Sequence, residues 1–130
     1  MARILIAEDD LTSQKLAAAF VKSMGHEYLV SPNGRHALET LRAANHIDLV
    51  LTDIMMPEMG GRELIEVLRA DARLAKIPVI IMSAVVGVRD ISDLLRAGAE
   101  FFLAKPIDRS ELQDYVERCL GAVPSRGRSA

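Results

Sequence analysis

The segment Leu49-Val50-Leu51-Thr52-Asp53 decides the fold, because it is a strand-like run that ends in an acid. Three other segments repeat this design: the apolar runs 4–7, 79–82 and 101–104 each lead directly into polar residues. In an open parallel sheet, the carboxyl ends of the strands line one crevice. The polar residues at these ends are therefore expected to converge on one pocket. They are Glu8, Asp9, Asp53, Ser83 and Lys105.

Strand-like runs alternate with helix-period segments five times along the chain. The strands are predicted at residues 3–7, 26–30, 48–52, from 78 onward, and at 101–104. This alternation is typical of an α/β fold in which helices cover both faces of a parallel sheet, in three layers. Runs 48–52 and 79–82 lack polar alternation, which indicates central, buried strands.

The helices are predicted from apolar residues at helical spacing. In the first helix, Thr12 or Ser13 is the predicted cap and Gly25 the predicted stop. Its predicted inward stripe is Leu16, Ala17, Phe20, Val21 and Met24. The fourth helix is expected to face inward with Ile91, Leu94 and Leu95, and the last helix with Leu112, Tyr115, Val116 and Cys119.

The composition indicates one domain with an aliphatic core. The chain has 130 residues, of which 50% are hydrophobic and only 4% aromatic. A net charge of −2 argues against binding nucleic acid through bulk electrostatics. The single cysteine, Cys119, excludes an internal disulfide, and the longest apolar stretch is too short to span a bilayer. We expect a cytoplasmic protein with its domain at residues 1–122, a disordered tail at 123–130, and no membrane contact.

The acids indicate metal and phosphoryl chemistry. Glu8, Asp9 and Asp53 in one pocket would repel one another, and Mg²⁺ (or Mn²⁺) held by carboxylates relieves that repulsion. A carboxylate can itself act as a nucleophile and become an aspartyl phosphate. Lys105 would place a positive charge on a phosphoryl oxygen, and Ser83 would donate a hydrogen bond to another.

The ordered set of motifs resembles the receiver domain of two-component response regulators, over residues 2–120. The motifs are Ile6-Ala7-Glu8-Asp9-Asp10, Asp53-Ile54-Met55-Met56-Pro57-Glu58-Met59-Gly60-Gly61, Met82-Ser83-Ala84 and Lys105-Pro106. The resemblance implies a flavodoxin-like, doubly wound sheet of five strands in the order 2-1-3-4-5, with five helices. It also points to a stand-alone regulator similar to those of chemotaxis, or to a receiver cut from a longer protein.

The resemblance implies a role for each acid. Asp53 would accept a phosphoryl group from a sensor histidine kinase or a phosphotransfer protein. Asp9 and Asp53 would bind the metal directly with the backbone carbonyl of Met55, and Glu8 would act through a metal-bound water. Asp10 is instead expected to start the first helix.

The resemblance also implies a switch. Ser83 and Phe102 would move together when the phosphoryl group arrives, and Lys105 would pair with that group. The Lys105-Pro106 bond would be cis. A downstream protein partner would bind the face formed by helix 4, strand 5 and helix 5, and the protein would be a monomer or a phosphorylation-linked dimer. It would catalyse only its own phosphoryl transfer and dephosphorylation, so it is not expected to be an enzyme.

Two departures and three alternatives accompany this interpretation. Gly60 replaces an acid common in the family, and apolar Met55 and Val85 would form a rim that excludes water from the phosphoryl group. The alternatives are a phosphatase with an aspartate nucleophile, a flavodoxin-like cofactor binder and an inert pseudo-receiver scaffold. Met55 stands where such a phosphatase would carry its second acid, and acids replace the phosphate-cradling loop of a cofactor binder.

Overall fold

A computed structural model describes residues 1–43, 46–84 and 87–121. The predicted tail at 123–130 and Val85 of the predicted rim lie outside these residues. Strands and helices alternate along the whole described chain. They are β1 Arg3–Ala7, α1 Leu11–Ser23, β2 Glu27–Ser31, α2 Gly34–Arg42, β3 Leu49–Asp53, α3 Gly61–Ala70, β4 Val79–Ser83, α4 Val88–Ala97, β5 Phe101–Ala104 and α5 Arg109–Gly121.

The five strands form one parallel sheet in the order β2-β1-β3-β4-β5, as predicted. Every residue of β3 and β4 is buried, in agreement with their central positions, whereas most of β2 is exposed at the sheet edge. The register aligns Asp53 with Met82 and Ser83 with Ala104. The carboxyl ends of adjacent strands therefore lie side by side, at one end of the sheet.

Side chains alternate between the two faces of the sheet and build two separate cores. Leu5, Val50 and Ile81 pack in one core with residues of α2, α3 and α4. Ile4, Leu51 and Ile80 pack in the other with α1 and α5. These two cores are the physical basis of the predicted three-layer arrangement.

The start of α1 differs from the prediction. Asp10 caps the helix, since its carboxylate accepts the backbone N–H of Ser13 at 2.9 Å. Thr12 and Ser13 lie inside the first turn, so the prediction that one of them is the cap is wrong. The expectation that Asp10 starts the helix is correct. Gly25 has a φ of +88°, which places it in the left-handed region that commonly ends a helix.

Two residues assigned to inward stripes are exposed. Leu16 of α1 is 38% exposed and Leu95 of α4 is 43% exposed. Each lies at the border of an apolar stripe whose central residues, such as Val21 and Leu94, are buried. A helical pattern locates the middle of the buried stripe, but the neighbouring helices set its width.

The two phenylalanines of β5 face opposite cores. Phe101 stacks on Tyr115 of α5, with ring centroids 4.4 Å apart and ring planes 4° from parallel. Phe102 packs against the core on the α4 side. The alternation of side chains along the strand therefore separates the two rings.

Arg69 hydrogen-bonds to three backbone segments at the end of the sheet opposite the carboxyl ends of the strands. Its guanidinium donates to the carbonyl oxygens of Ala75 at 2.9 Å, Ile77 at 2.8 Å and Gly98 at 2.7 Å. Gly98 caps the carboxyl end of α4 with a φ of +127°. The end of α4 is thus held directly to α3.

Candidate active site at the carboxyl edge of the sheet

The structure brings the five predicted polar residues to one edge of the sheet. Glu8 and Asp9 follow β1, Asp53 ends β3, Ser83 ends β4 and Lys105 follows β5. Glu8, Asp53 and Ser83 are buried, whereas Asp9 is exposed. The backbone N–H of Lys105 donates to the carbonyl oxygen of Ser83 at 2.9 Å, which continues the pairing of β4 with β5 beyond the strands.

Lys105 links the two buried carboxylates. Its Nζ lies 2.6 Å from Oε1 of Glu8 and 2.7 Å from Oδ2 of Asp53. The Glu8 side chain has no exposed surface, and those of Lys105 and Asp53 are 17% and 12% exposed. Charge-assisted hydrogen bonds of this length are among the stronger polar contacts in proteins. One ammonium group therefore holds the ends of β1, β3 and β5 together.

Backbone groups fix the orientation of both carboxylates. The second oxygen of Asp53, Oδ1, accepts the N–H of Ile54 at 2.6 Å, and the N–H of Met55 lies 3.4 Å away. The second oxygen of Glu8, Oε2, accepts the N–H of Asp10 at 3.2 Å. Asp53 therefore reaches the cleft in a set position instead of as a freely rotating side chain.

Burial and charge shift the pKa values of this cluster. Burial raises the pKa of Glu8 above its ordinary value, and the negative charge of Asp53 adds to this effect, although Lys105 and the N–H of Asp10 oppose it. Burial alone would lower the pKa of Lys105, but its hydrogen bonds to Asp53 and Glu8 outweigh that effect and raise it. Lys105 is therefore a permanent cation at neutral pH.

The acids of the cluster form a suitable cage for a hard cation. One ligand oxygen from each of Glu8, Asp9 and Asp53 lies within 4.8 Å of the others. The cluster contains three carboxylates and one ammonium group, so the ionised cluster carries excess negative charge. Carboxylate oxygens grouped around exposed Asp9 suit Mg²⁺, which binds through a few carboxylates and keeps several waters.

The loop after β3 packs against the backbone that carries Asp53. A β-carbon at Gly61 would lie 2.3 Å from the carbonyl oxygen of Asp53, and one at Gly60 would lie 2.6 Å from that of Ile54. The N–H of Gly61 donates to the Ile54 carbonyl at 2.8 Å. The contribution of Gly61 was missed in the sequence, where only the adjacent glycine pair signals a close backbone approach.

The predicted switch residues occupy the adjoining strands. Ser83 is buried at the end of β4, and Phe102 is half-buried next to α4. The Lys105-Pro106 peptide bond is cis. Met55 is 77% exposed beside the cleft. The predicted role of its carbonyl as a metal ligand stays a prediction, as does its role in a rim with Val85.

Comparison with known proteins defines the class to which this fold and site belong. The family model described as the response regulator receiver domain matches residues 4–117. The chain therefore belongs to the response regulator receiver domain family. The resemblance inferred from the ordered motifs is confirmed.

Individual relatives agree with this assignment. The rice protein "Two-component response regulator-like PRR73" (Oryza sativa subsp. indica) is 34% identical over 113 residues, which are 86% of this chain. The chain spans only 15% of the length of that relative. The solved receiver domain of a signal transduction histidine kinase from Syntrophus aciditrophicus is 32% identical, with a TM-score of 0.88, and the match covers 100% of this chain and 97% of the other.

A further solved structure bears on the metal. The receiver domain of a sensor histidine kinase from Pseudomonas aeruginosa PAO1, with a magnesium ion coordinated in its active-site cleft, is 28% identical with a TM-score of 0.84. The match covers 92% of this chain and 98% of that domain.

None of the helices in residues 1–43, 46–84 and 87–121 combines the length and apolar character needed to cross a membrane.

Proposed function

We propose that this protein is a phosphorylation-activated switch of a two-component phosphorelay, with Asp53 as the phosphoryl acceptor. The observation that carries the proposal is the contact of one lysine with two buried carboxylates, 2.6 Å from Glu8 and 2.7 Å from Asp53. A lysine confined to this position can transfer its hydrogen bond from the carboxylate to an arriving phosphoryl oxygen with little movement.

Each polar residue of the site has a separate role in phosphoryl transfer. Oδ1 of Asp53 is anchored by the N–H of Ile54, so the carboxylate presents an oxygen to the phosphorus atom of the donor in a set orientation. Lys105 stabilises the charge of the phosphoryl oxygens, and the Ser83 hydroxyl donates to one of them. Mg²⁺ held by Asp9, Asp53 and the Met55 carbonyl, with Glu8 acting through a metal-bound water, would supply charge neutralisation and orientation of the donor. The donor is a sensor histidine kinase or a phosphotransfer protein.

The output follows from the position of Ser83 and Phe102. A phosphoryl group adds strong hydrogen-bond acceptors at the cleft. Ser83 moves toward them, and space then opens next to the half-buried Phe102 ring, which packs on the α4 side of the sheet. This change biases the face formed by α4, β5 and α5 between two arrangements, and a protein partner or a second copy of the chain binds one of them.

The protein is in this proposal a regulator and not an enzyme for external substrates. It carries out its own phosphoryl transfer and dephosphorylation. It works in the cytoplasm, and nucleic acid is not a direct partner.

The test is the intact mass of the protein after incubation with acetyl phosphate and Mg²⁺. The controls are Asp53→Asn and an excess of chelator. One phosphoryl adduct that is lost in both controls is expected. A folded protein without any adduct would refute the proposal and favour a scaffold role. Steady hydrolysis of p-nitrophenyl phosphate would instead identify the aspartate-nucleophile phosphatase.

A further inference from the structure

A cavity adjoins the carboxylate cluster at Lys105, and its lining is mostly apolar whereas the cluster is charged. It encloses about 330 Å³ between the first turns of α1 and the segment that follows β5. Most of its wall is apolar, and none of the described residues that line it is acidic. The apolar residues are Leu16, Met82, Ala84, Pro106 and Ile107.

Lys105 connects this cavity to the proposed acceptor. It lines the cavity, and its Nζ lies 2.7 Å from Oδ2 of Asp53. Because Lys105 both lines the cavity and contacts Asp53, the remaining substituent of a donor bound at these two residues can extend into the cavity. The surrounding walls explain the exposed position of Leu16, which faces this space instead of the core.

We propose that the cavity is a leaving-group subsite that takes the apolar part of an acyl phosphate. This inference rests on the proposed function of Asp53 and adds a substrate preference to it. The Asp53 carboxylate oxygen bonds to phosphorus while the bond between phosphorus and the acyl oxygen breaks. The acyl carboxylate departs with the electron pair of that bond, and no proton is transferred.

The size of the preference follows from burial of the acyl chain. Each methylene group that leaves water is worth about a fourfold change in an equilibrium or rate constant. Butyryl phosphate has two more methylene groups than acetyl phosphate, and their leaving carboxylates are of nearly equal basicity. Because the cavity is open to solvent on one side, a roughly tenfold higher second-order rate constant is expected for butyryl phosphate.

The experiment measures the rate of the phosphoryl adduct by intact mass with butyryl phosphate, acetyl phosphate and phosphoramidate. Phosphoramidate carries no apolar leaving group. The variant is Leu16→Gln, and the matched control is Leu11→Gln, which changes an exposed leucine of the same helix outside the cavity lining. Leu16→Gln should reduce the butyryl-to-acetyl ratio to near one and leave the phosphoramidate rate unchanged. Leu11→Gln should keep the ratio.

The outcomes separate this inference from the proposed function. Adduct formation with all three donors, but with equal butyryl and acetyl rate constants, would overturn the subsite and leave Asp53 as the acceptor. An equal fall of the ratio in both leucine variants would also overturn it. Absence of any adduct, including with phosphoramidate, would refute the proposed function itself.

Discussion

Replacement of Lys105 by methionine tests how the charge cluster contributes to stability. The substitution keeps a long apolar side chain and removes the ammonium group that contacts Glu8 and Asp53. Removing one partner from a buried ion pair costs about 3–5 kcal/mol, because the remaining charge is left buried. Glu8 is the critical group, since its side chain has no exposed surface.

We expect the lower end of that range at pH 7.5. Glu8 keeps the N–H of Asp10, and Asp53 keeps the N–H of Ile54. Glu8 can also take up a proton, which removes its charge. A loss of about 3 kcal/mol in the free energy of unfolding corresponds to a fall in Tm of about 10 °C for a domain of this size.

The loss in the free energy of unfolding caused by Lys105→Met should be smaller at acidic pH. Without Lys105, the pKa of Glu8 rises further above its ordinary value, so the folded variant binds a proton more readily than the unfolded chain does. The free energy of unfolding of the variant therefore falls as pH rises from about 4.5 through that raised pKa. The pKa of Lys105 is raised in the wild type, so its stabilisation stays constant well into the alkaline range.

The assay is urea denaturation without metal at pH 5.0 and pH 7.5, beside Lys76→Met as an exposed lysine control. The expected result is a large deficit for Lys105→Met at pH 7.5, a smaller one at pH 5.0 and almost no change for Lys76→Met. Excess Mg²⁺ should stabilise Lys105→Met more than the wild type. A deficit below about 0.5 kcal/mol, or one equal at both pH values, would refute the reasoning.

Three further predictions concern the rest of the fold. Gly61→Ala should lower the free energy of unfolding by about 1–3 kcal/mol and slow adduct formation, because its β-carbon would collide with the Asp53 carbonyl; an unchanged urea midpoint would contradict this. Asn33→Ala should cost about 1 kcal/mol in thermal denaturation, since the Asn33 side chain caps α2 by accepting the N–H of His36 at 2.8 Å, whereas Asn33→Asp should retain the cap and the stability. Cys119 should react with a thiol reagent at pH 8 only after unfolding in urea, because burial raises its pKa to about 12; rapid labelling of the folded protein would argue against that burial.

The architecture and the meeting of the polar residues were predictable from the sequence. Leu49-Val50-Leu51-Thr52-Asp53 already combines a buried run with an acid at its end, and the parallel sheet carries all such ends to one edge. The order of the strands came from the family resemblance and not from the pattern itself.

The contacts within the site were not predictable. Lys105 was expected to meet a phosphoryl group, whereas in this structure it bridges Glu8 and Asp53, an arrangement set by three-dimensional distances. Leu16 was expected in the core because helical periodicity does not reveal a cavity between α1 and the segment that follows β5. The cap by Asp10 depended on where the backbone turns into α1, and Thr12, Ser13 and Asp10 are all residue types that cap helices.

The contacts of Arg69 anchor one end of α4, and this anchored end is the pivot, or fulcrum, about which the helix can tilt. The helix is held at its carboxyl end, where the Gly98 carbonyl accepts a hydrogen bond from the Arg69 guanidinium at 2.7 Å, while its amino end comes a few residues after Ser83 in the chain. Ten residues of α-helix extend about 15 Å, so a tilt of about 10° around the fulcrum carries the free end through roughly 3 Å. A displacement at the amino end therefore becomes a tilt of one helix, largest next to Ser83 and smallest at the carboxyl end that Arg69 holds.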